Sequence, residues 1–219
     1  LKNFYVFWST QELSQLGSAM TNFALTLWLY QETGSALQTA LLSICSYAPY
    51  VILSIFAGTL SDKWDKKRTM LVCDTFAACC TVLVFVLLKT GLLCIWHMYL
   101  LNAVNSLMNT VQRPASDVAI TLITPKKYYQ KTSALRSFSR SLITILHPMF
   151  ATSCYALGGM NAVIIVDLCS FFVAFLALLL FVQIPPVKAY AAEGKETLLA
   201  SAKAGLKCLS QNRMVLMLI

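Results

Sequence analysis

Of the 219 residues in the chain, 58% are hydrophobic and only 12% charged, with a mean hydropathy of +0.68 and a formal net charge of +8. Soluble domains run at about 45–50% apolar and about 25% charged, so the composition excludes an ordinary water-soluble globule and points to an all-α membrane protein. The basic residues cluster between apolar runs instead of covering one face, which marks them as topology signals and excludes a nucleic-acid surface.

At about 20 residues per span the chain has room for six transmembrane helices. The eight cysteines form no C-x-x-C pair and lie mostly inside apolar runs, Cys79 and Cys80 among them, so they read as small hydrophobes. Nothing in the sequence calls for a metal or a cofactor.

The first helix is expected from about Phe4 to Tyr30. Gln11, Gln15, Ser18 and Asn22 recur at i, i+4, i+7 and i+11, which places them on one stripe. Glu12 lies about 12 Å along this helix, inside a hydrocarbon core about 30 Å thick, an expensive place for a carboxylate. It is the proton-coupling candidate; pairing with Arg136 or Arg140 is the structural alternative.

A short outside turn at Gln31–Ser35 leads to a second helix, about Ala36 to Leu60, with Pro49 in its middle. The loop Gly58 to Arg68 follows, and its Lys63, Lys66, Lys67 and Arg68 hold it on the cytoplasmic side. Gly58 permits close backbone approach, and Asp62 at a helix end can accept hydrogen bonds from a facing helix N-terminus. With Lys63, Lys67 and Arg68 these residues make a conformational latch. The third helix, about Thr69 to Leu88, carries Asp74 one turn inside the edge, where a basic partner is expected.

Lys89 to Gly91 turns outside, and the fourth helix, about Cys94 to Gln112, carries a second polar stripe of Asn102, Asn105, Asn109 and Gln112 that ends beside Arg113. Pro114 is expected to end it, leaving Ala115–Thr124 as a short interfacial piece before Lys126, Lys127 and Lys131. The fifth helix, about Ser133 to Leu157, lines up Arg136, Arg140, Thr144 and His147 and is bent by Pro148. Gly158–Asn161 forms an outside turn. The sixth helix, about Ala162 to Val182, carries Asp167, which should face the bundle interior. Substrate-cavity candidates are therefore Gln11, Gln15, Asn22, Asn102, Asn105, Asn109, Arg140, Thr144 and His147; buried-charge candidates are Asp74, Arg113, Arg136 and Asp167.

Residues 1–184 thus form a six-helix bundle, and 185–213 a cytoplasmic linker in which Leu198, Leu199, Ala202, Leu206 and Leu209 have the spacing of an amphipathic helix. Met214–Ile219 read as the first turns of a seventh span, so a longer chain is expected. Basic loops after helices two, four and six put both ends of the bundle inside.

Six spans of this kind make half of a twelve-span transporter. The loop resembles the signature of the major facilitator superfamily between its second and third helices, broadly G-x-L-x-D-(R/K)-x-G-(R/K)-(R/K): Gly58, Leu60, Asp62, Lys63, Lys66 and Lys67 match. Asp65 departs from the glycine and favours the branch similar to macrolide-efflux and enterobactin-exporter proteins. The Thr33-Gly34-Ser35 turn, Arg113-Pro114-Ala115 and Gly158-Gly159 extend the resemblance along the chain. Where the exporters often carry Gly-Pro and a small pair on helix five, His147-Pro148 and Ala151-Thr152 stand here.

The resemblance implies a non-enzymatic secondary transporter, exporting small amphipathic compounds by alternating access. Its partners would be the lipid bilayer, a small-molecule substrate and the C-terminal six-helix half of the same chain. It also implies a bacterial cytoplasmic membrane with the N-terminus inside. In the family the latch joins the two halves on the cytoplasmic side. A polytopic membrane enzyme or sensor and a channel are the alternatives; no H-E-x-x-H, histidine cluster or filter-like glycine run supports them.

Overall fold

The computed structural model describes residues 2–182 and 184, and of residues 55–63 it describes the backbone alone. The expected linker, its amphipathic stretch and the start of a seventh span lie outside the described residues. Regular structure among these residues is helical: α1 (Lys2–Thr33), α2 (Ala36–Lys63), α3 (Lys66–Lys89), α4 (Ile95–Ile123), a 3-10 turn at Lys126–Tyr128, and α5 (Tyr129–Leu180). Within α5 the backbone leaves helical geometry at Gly158 (φ −142°, ψ 15°) and Gly159 (φ 64°, ψ −162°). Residues 129–157 therefore form a first arm and 160–180 a second.

Three segments are long and apolar enough to cross a membrane: Ala36–Ser54, Lys66–Lys89 and Lys126–Leu180. α1 and α4 are not among them, because the amides that give each its polar stripe lower its hydropathy.

The links follow from local chemistry. Gly34, Gly91 and Gly159 have φ of 62°, 69° and 64°, and a Cβ on any of them would meet nothing within 4 Å. Left-handed backbone, not lack of space, selects glycine at all three. At the opposite end Asp65 is the N-cap of α3, its Oδ1 accepting from Arg68 N at 2.8 Å. Capping starts α3 at Lys66, so the loop shrinks to Trp64 and Asp65, shorter than the sequence suggests.

Pro114 does not end α4. The helix runs on to Ile123 because Ala115, Ala119 and Ile120 are buried against Phe4 and Phe7 of α1 and Met70 of α3, and that packing outweighs one missing N–H. The segment expected to be interfacial is the last third of α4.

α1 packs along α5, α2 along α4, and α3 against both α4 and α5. Two apolar clusters hold the bundle. One joins Met20, Leu29, Leu42, Val84, Met98 and Ile164 near the glycine turns; the other joins Phe4, Phe7, Met70, Ala119, Leu178 and Val182 at the opposite end. Between them the same helices carry polar side chains: Gln11 to Asn22 on α1, Asp74 to Thr81 on α3, Asn102 to Gln112 on α4. The bundle is thus a polar layer between two apolar ones. Outside, Leu37, Ile44, Val51 and Ile52 of α2 and Phe172 and Leu180 of α5 are exposed, a surface suited to hydrocarbon.

Candidate functional site

The polar layer encloses a cavity of about 260 Å³ bounded by α1, α3, α4 and both arms of α5. Gln11, Gln15 and Asn22 line it from α1, Asn105 and Asn109 from α4, and Arg140 from α5. Asn102 faces two adjoining spaces of about 20 and 210 Å³, both of which it shares with Asn22 and Asn105. Helical spacing accounts for this convergence, since residues three, four and seven apart stack on one face.

Thr144 and His147 line none of these spaces. Thr144 is exposed and donates to Arg140 O at 2.9 Å, because eight positions from Arg136 is about 80° round the helix. His147 lies where the apolar cluster begins: its Nδ1 is 3.0 Å from Ile143 O, and its ring meets Phe23 edge-on at 5.9 Å.

The charged residues find partners that differ from those expected. Asp74 is 8% exposed and accepts from Gln112 Nε2 at 2.5 Å, an amide in place of the expected basic residue. The register of α3 on α4 explains it. Gln112 faces α3, and Arg113, about 100° further round, points toward α2 instead, with its guanidinium 5.4 Å from the Tyr50 ring centroid. Arg113 is exposed, a correction to its place among the buried charges.

Arg136 is half-buried and pairs with Asp117, a residue the stripe analysis passed over because it lies beyond Pro114. Glu12 is within electrostatic reach of Arg136 and Arg140 but forms no ion pair among the described residues. Its Oε2 is buried without a hydrogen-bond partner, and it stands beside the cavity rather than in its wall. The alternative pairing of Glu12 with Arg136 or Arg140 is not formed as an ion pair among the described residues; Asp117 takes Arg136.

Asp167 is 3% exposed and faces the interior, as a charge in so apolar a helix should. Ser18 Oγ donates to its Oδ1 at 3.0 Å, and Thr81 Oγ1 lies 3.4 Å from its Oδ2. Gly17 makes the approach possible: a Cβ there would overlap Ser170 Oγ and lie 3.0 Å from Asp167 Cα. Gly17 belongs to none of the sequence motifs, although a glycine inside a polar stripe is a signal of close helix approach.

Of the latch residues, Gly58, Asp62 and Lys63 lie in the last turns of α2, where only the backbone is described. Arg68 is exposed. Lys67 is engaged within the chain: its Nζ donates to Leu179 O at 3.0 Å and Val182 O at 2.8 Å, satisfying carbonyls that the end of α5 leaves open.

The arrangement offers a polar space with amides, hydroxyls, the carboxylates of Asp74, Asp117 and Asp167 and the three arginines Arg113, Arg136 and Arg140 inside an apolar shell. Such a site can orient a small molecule that carries both polar and apolar groups. Among the described residues no group of three or more His, Cys, Asp or Glu could hold a metal.

The sequence model of the Major Facilitator Superfamily matches residues 7–219. Macrolide efflux protein A of Streptococcus pyogenes is 23% identical over 210 residues, covering 96% of this chain and 52% of that protein. Two uncharacterized MFS-type transporters of Bacillus subtilis are also similar: YfiS, 26% identical over 214 residues (95% of this chain, 49% of YfiS), and YkuC, 24% identical over 174 residues (79% and 40%). The chain spans about half the length of the curated relatives it matches. No solved structure matches it.

Proposed function

We propose that this chain, which belongs to the Major Facilitator Superfamily, forms one six-helix half of a secondary transporter that exports small amphipathic compounds by alternating access. The observation that carries the reading is the polar cavity of about 260 Å³ held between two apolar clusters, with Gln11, Gln15, Asn105, Asn109 and Arg140 in its wall. Macrolides are the substrate class to try first, from the printed name of the similar streptococcal protein.

The two arms of α5 and α1–α4 supply the six spans of the proposed half. The basic links after α2 and α4 support an N-terminus in the cytoplasm of a bacterial cell by the positive-inside rule. A C-terminal half would close the cavity from the other side, and residues Gly58, Asp62 and Arg68 would meet it on the cytoplasmic face.

The reading is tested by expressing the full-length protein in an efflux-deficient bacterial host and following accumulation of a labelled macrolide. Wild-type protein should lower accumulation in energised cells, and Asn105→Leu with Asn109→Leu should abolish the effect while leaving membrane expression intact. Accumulation unaffected by wild-type protein across macrolides and amphipathic dyes would refute the exporter reading.

A further inference from the structure

Asp167 poses a problem of charge. A carboxylate 3% exposed in a membrane bundle is strongly disfavoured unless something neutralises it. Among the described residues it forms no ion pair; the ion pair they show is Arg136 with Asp117. The groups that reach it are neutral hydroxyls, those of Ser18, Thr21 and Thr81, and that of Thr81 divides its proton between Asp167 Oδ2 at 3.4 Å and Ala77 O at 3.3 Å.

The space beside it is equally specific. Asp167, Ser18, Thr21 and Thr81 share the wall of a cavity of about 20 Å³, room for one water-sized occupant. Thr21 is 5% exposed and lines this cavity, and its Oγ1 faces the Asp167 carboxylate without completing a well-formed hydrogen bond. Three hydroxyl oxygens gathered round an unneutralised carboxylate are a set of oxygen donors lacking a positive charge. Oxygen donors select hard cations, and a single carboxylate balances a single charge, which favours a monovalent over a divalent ion.

We propose that Asp167, Ser18, Thr21 and Thr81 form a binding site for one monovalent cation, either a sodium ion or a proton taken up by the carboxylate. The charged and titratable groups that share its cavities are Asp74 and Cys80 on α3, Arg113 and Asp117 on α4, and Arg136 and Arg140 on the first arm of α5. None forms an ion pair with it. In the transporter reading, on which this extension rests, the site is the station of the coupling ion, placed on α1, α3 and the second arm of α5 and not at Glu12. The binding itself does not depend on what is transported.

The test is thermal unfolding of the purified full-length protein in detergent. Sodium chloride is titrated against choline chloride at alkaline pH, and pH is titrated in sodium-free buffer; a bound cation stabilises the folded state. Wild-type protein should show a saturable rise in Tm in one of the two titrations, which identifies the ion, and Asp167→Asn should lose it. Thr21→Val, which keeps the shape and removes one oxygen donor, should raise the half-saturating sodium concentration about tenfold, or shift the pH midpoint if the ion is a proton.

A response to either ion that persists in Asp167→Asn, or wild-type protein indifferent to both titrations, overturns the proposal. If Asp167→Asn does not fold, an unchanged response in folded Thr21→Val does the same. Cation binding with no drug export would sink the transport reading and leave the site standing.

Discussion

Replacing Gly17 by alanine puts the seam between α1 and the second arm of α5 under direct strain. The added Cβ would overlap Ser170 Oγ and stand 3.0 Å from Asp167 Cα and 3.1 Å from Asp167 Oδ1. The serine can rotate away only by giving up its bond to Asp167 O, 2.8 Å long, a loss of about 0.5–1.5 kcal/mol. The Asp167 backbone has no such freedom, so the helices must part by a few tenths of an ångström, and overpacking of this kind costs about 1–3 kcal/mol. Against this, alanine is the better helix former by about 0.8–1.0 kcal/mol.

The balance is a net loss of about 0.5–3.7 kcal/mol for Gly17→Ala, combining those figures. Equilibrium unfolding in mixed micelles measures it. The double variant Gly17→Ala with Ser170→Ala should recover part of the loss, because one of the two obstructions is gone. A Gly17→Ala protein as stable as wild type, or more so, would show that propensity wins and that the close approach is not a constraint.

Two further outcomes follow from the links between helices. Lys67→Met should cost about 1–2 kcal/mol of stability, since it strips charge-assisted hydrogen bonds from the carbonyls of Leu179 and Val182; Lys67→Arg should restore part of this, whereas normal stability in both variants would place Lys67 outside the fold's support. Gly34→Ala should cost about 1–2 kcal/mol through its left-handed backbone alone, and Gly34→Asn less, because a Cβ at Gly34 meets nothing within 4 Å; an equal loss for both, read from Tm, would point to sterics instead.

The residues show how much of this was legible in advance. Apolar run length marked α2, α3 and α5, and amide spacing placed Gln11, Gln15, Asn22, Asn105 and Asn109 on the cavity wall, because both are properties of a single segment. Choices between segments were not legible. Which residue of α4 faces Asp74 depends on the rotation of one helix against another, and a step of one residue exchanges Arg113 for Gln112. Pro114 read as a terminator since its lost donor is visible in the sequence, while the packing of Ala115 and Ala119 that carries the helix past it is not. Lys67 read as part of a latch because its reach to Leu179 and Val182 joins residues more than a hundred positions apart.

The polar middle of α1 also sets an order of events during synthesis. Of the described helices α1 is translated before the others, yet it is not among the segments apolar enough to cross a bilayer alone, and Gln11, Glu12 and Gln15 fall within its length. An acidic residue near mid-span opposes partitioning by about 2.5–3.5 kcal/mol on insertion scales. The segments that seat it, Asp167 and its neighbours on the second arm of α5, are translated roughly 150 residues later. The expected consequence is that α1 seats stably only once the second arm of α5 has been made. Glycosylation mapping of truncated nascent chains reads this directly: α1 should span stably only in chains that extend through Leu180, and stable spanning of α1 by itself would contradict that sequence of steps.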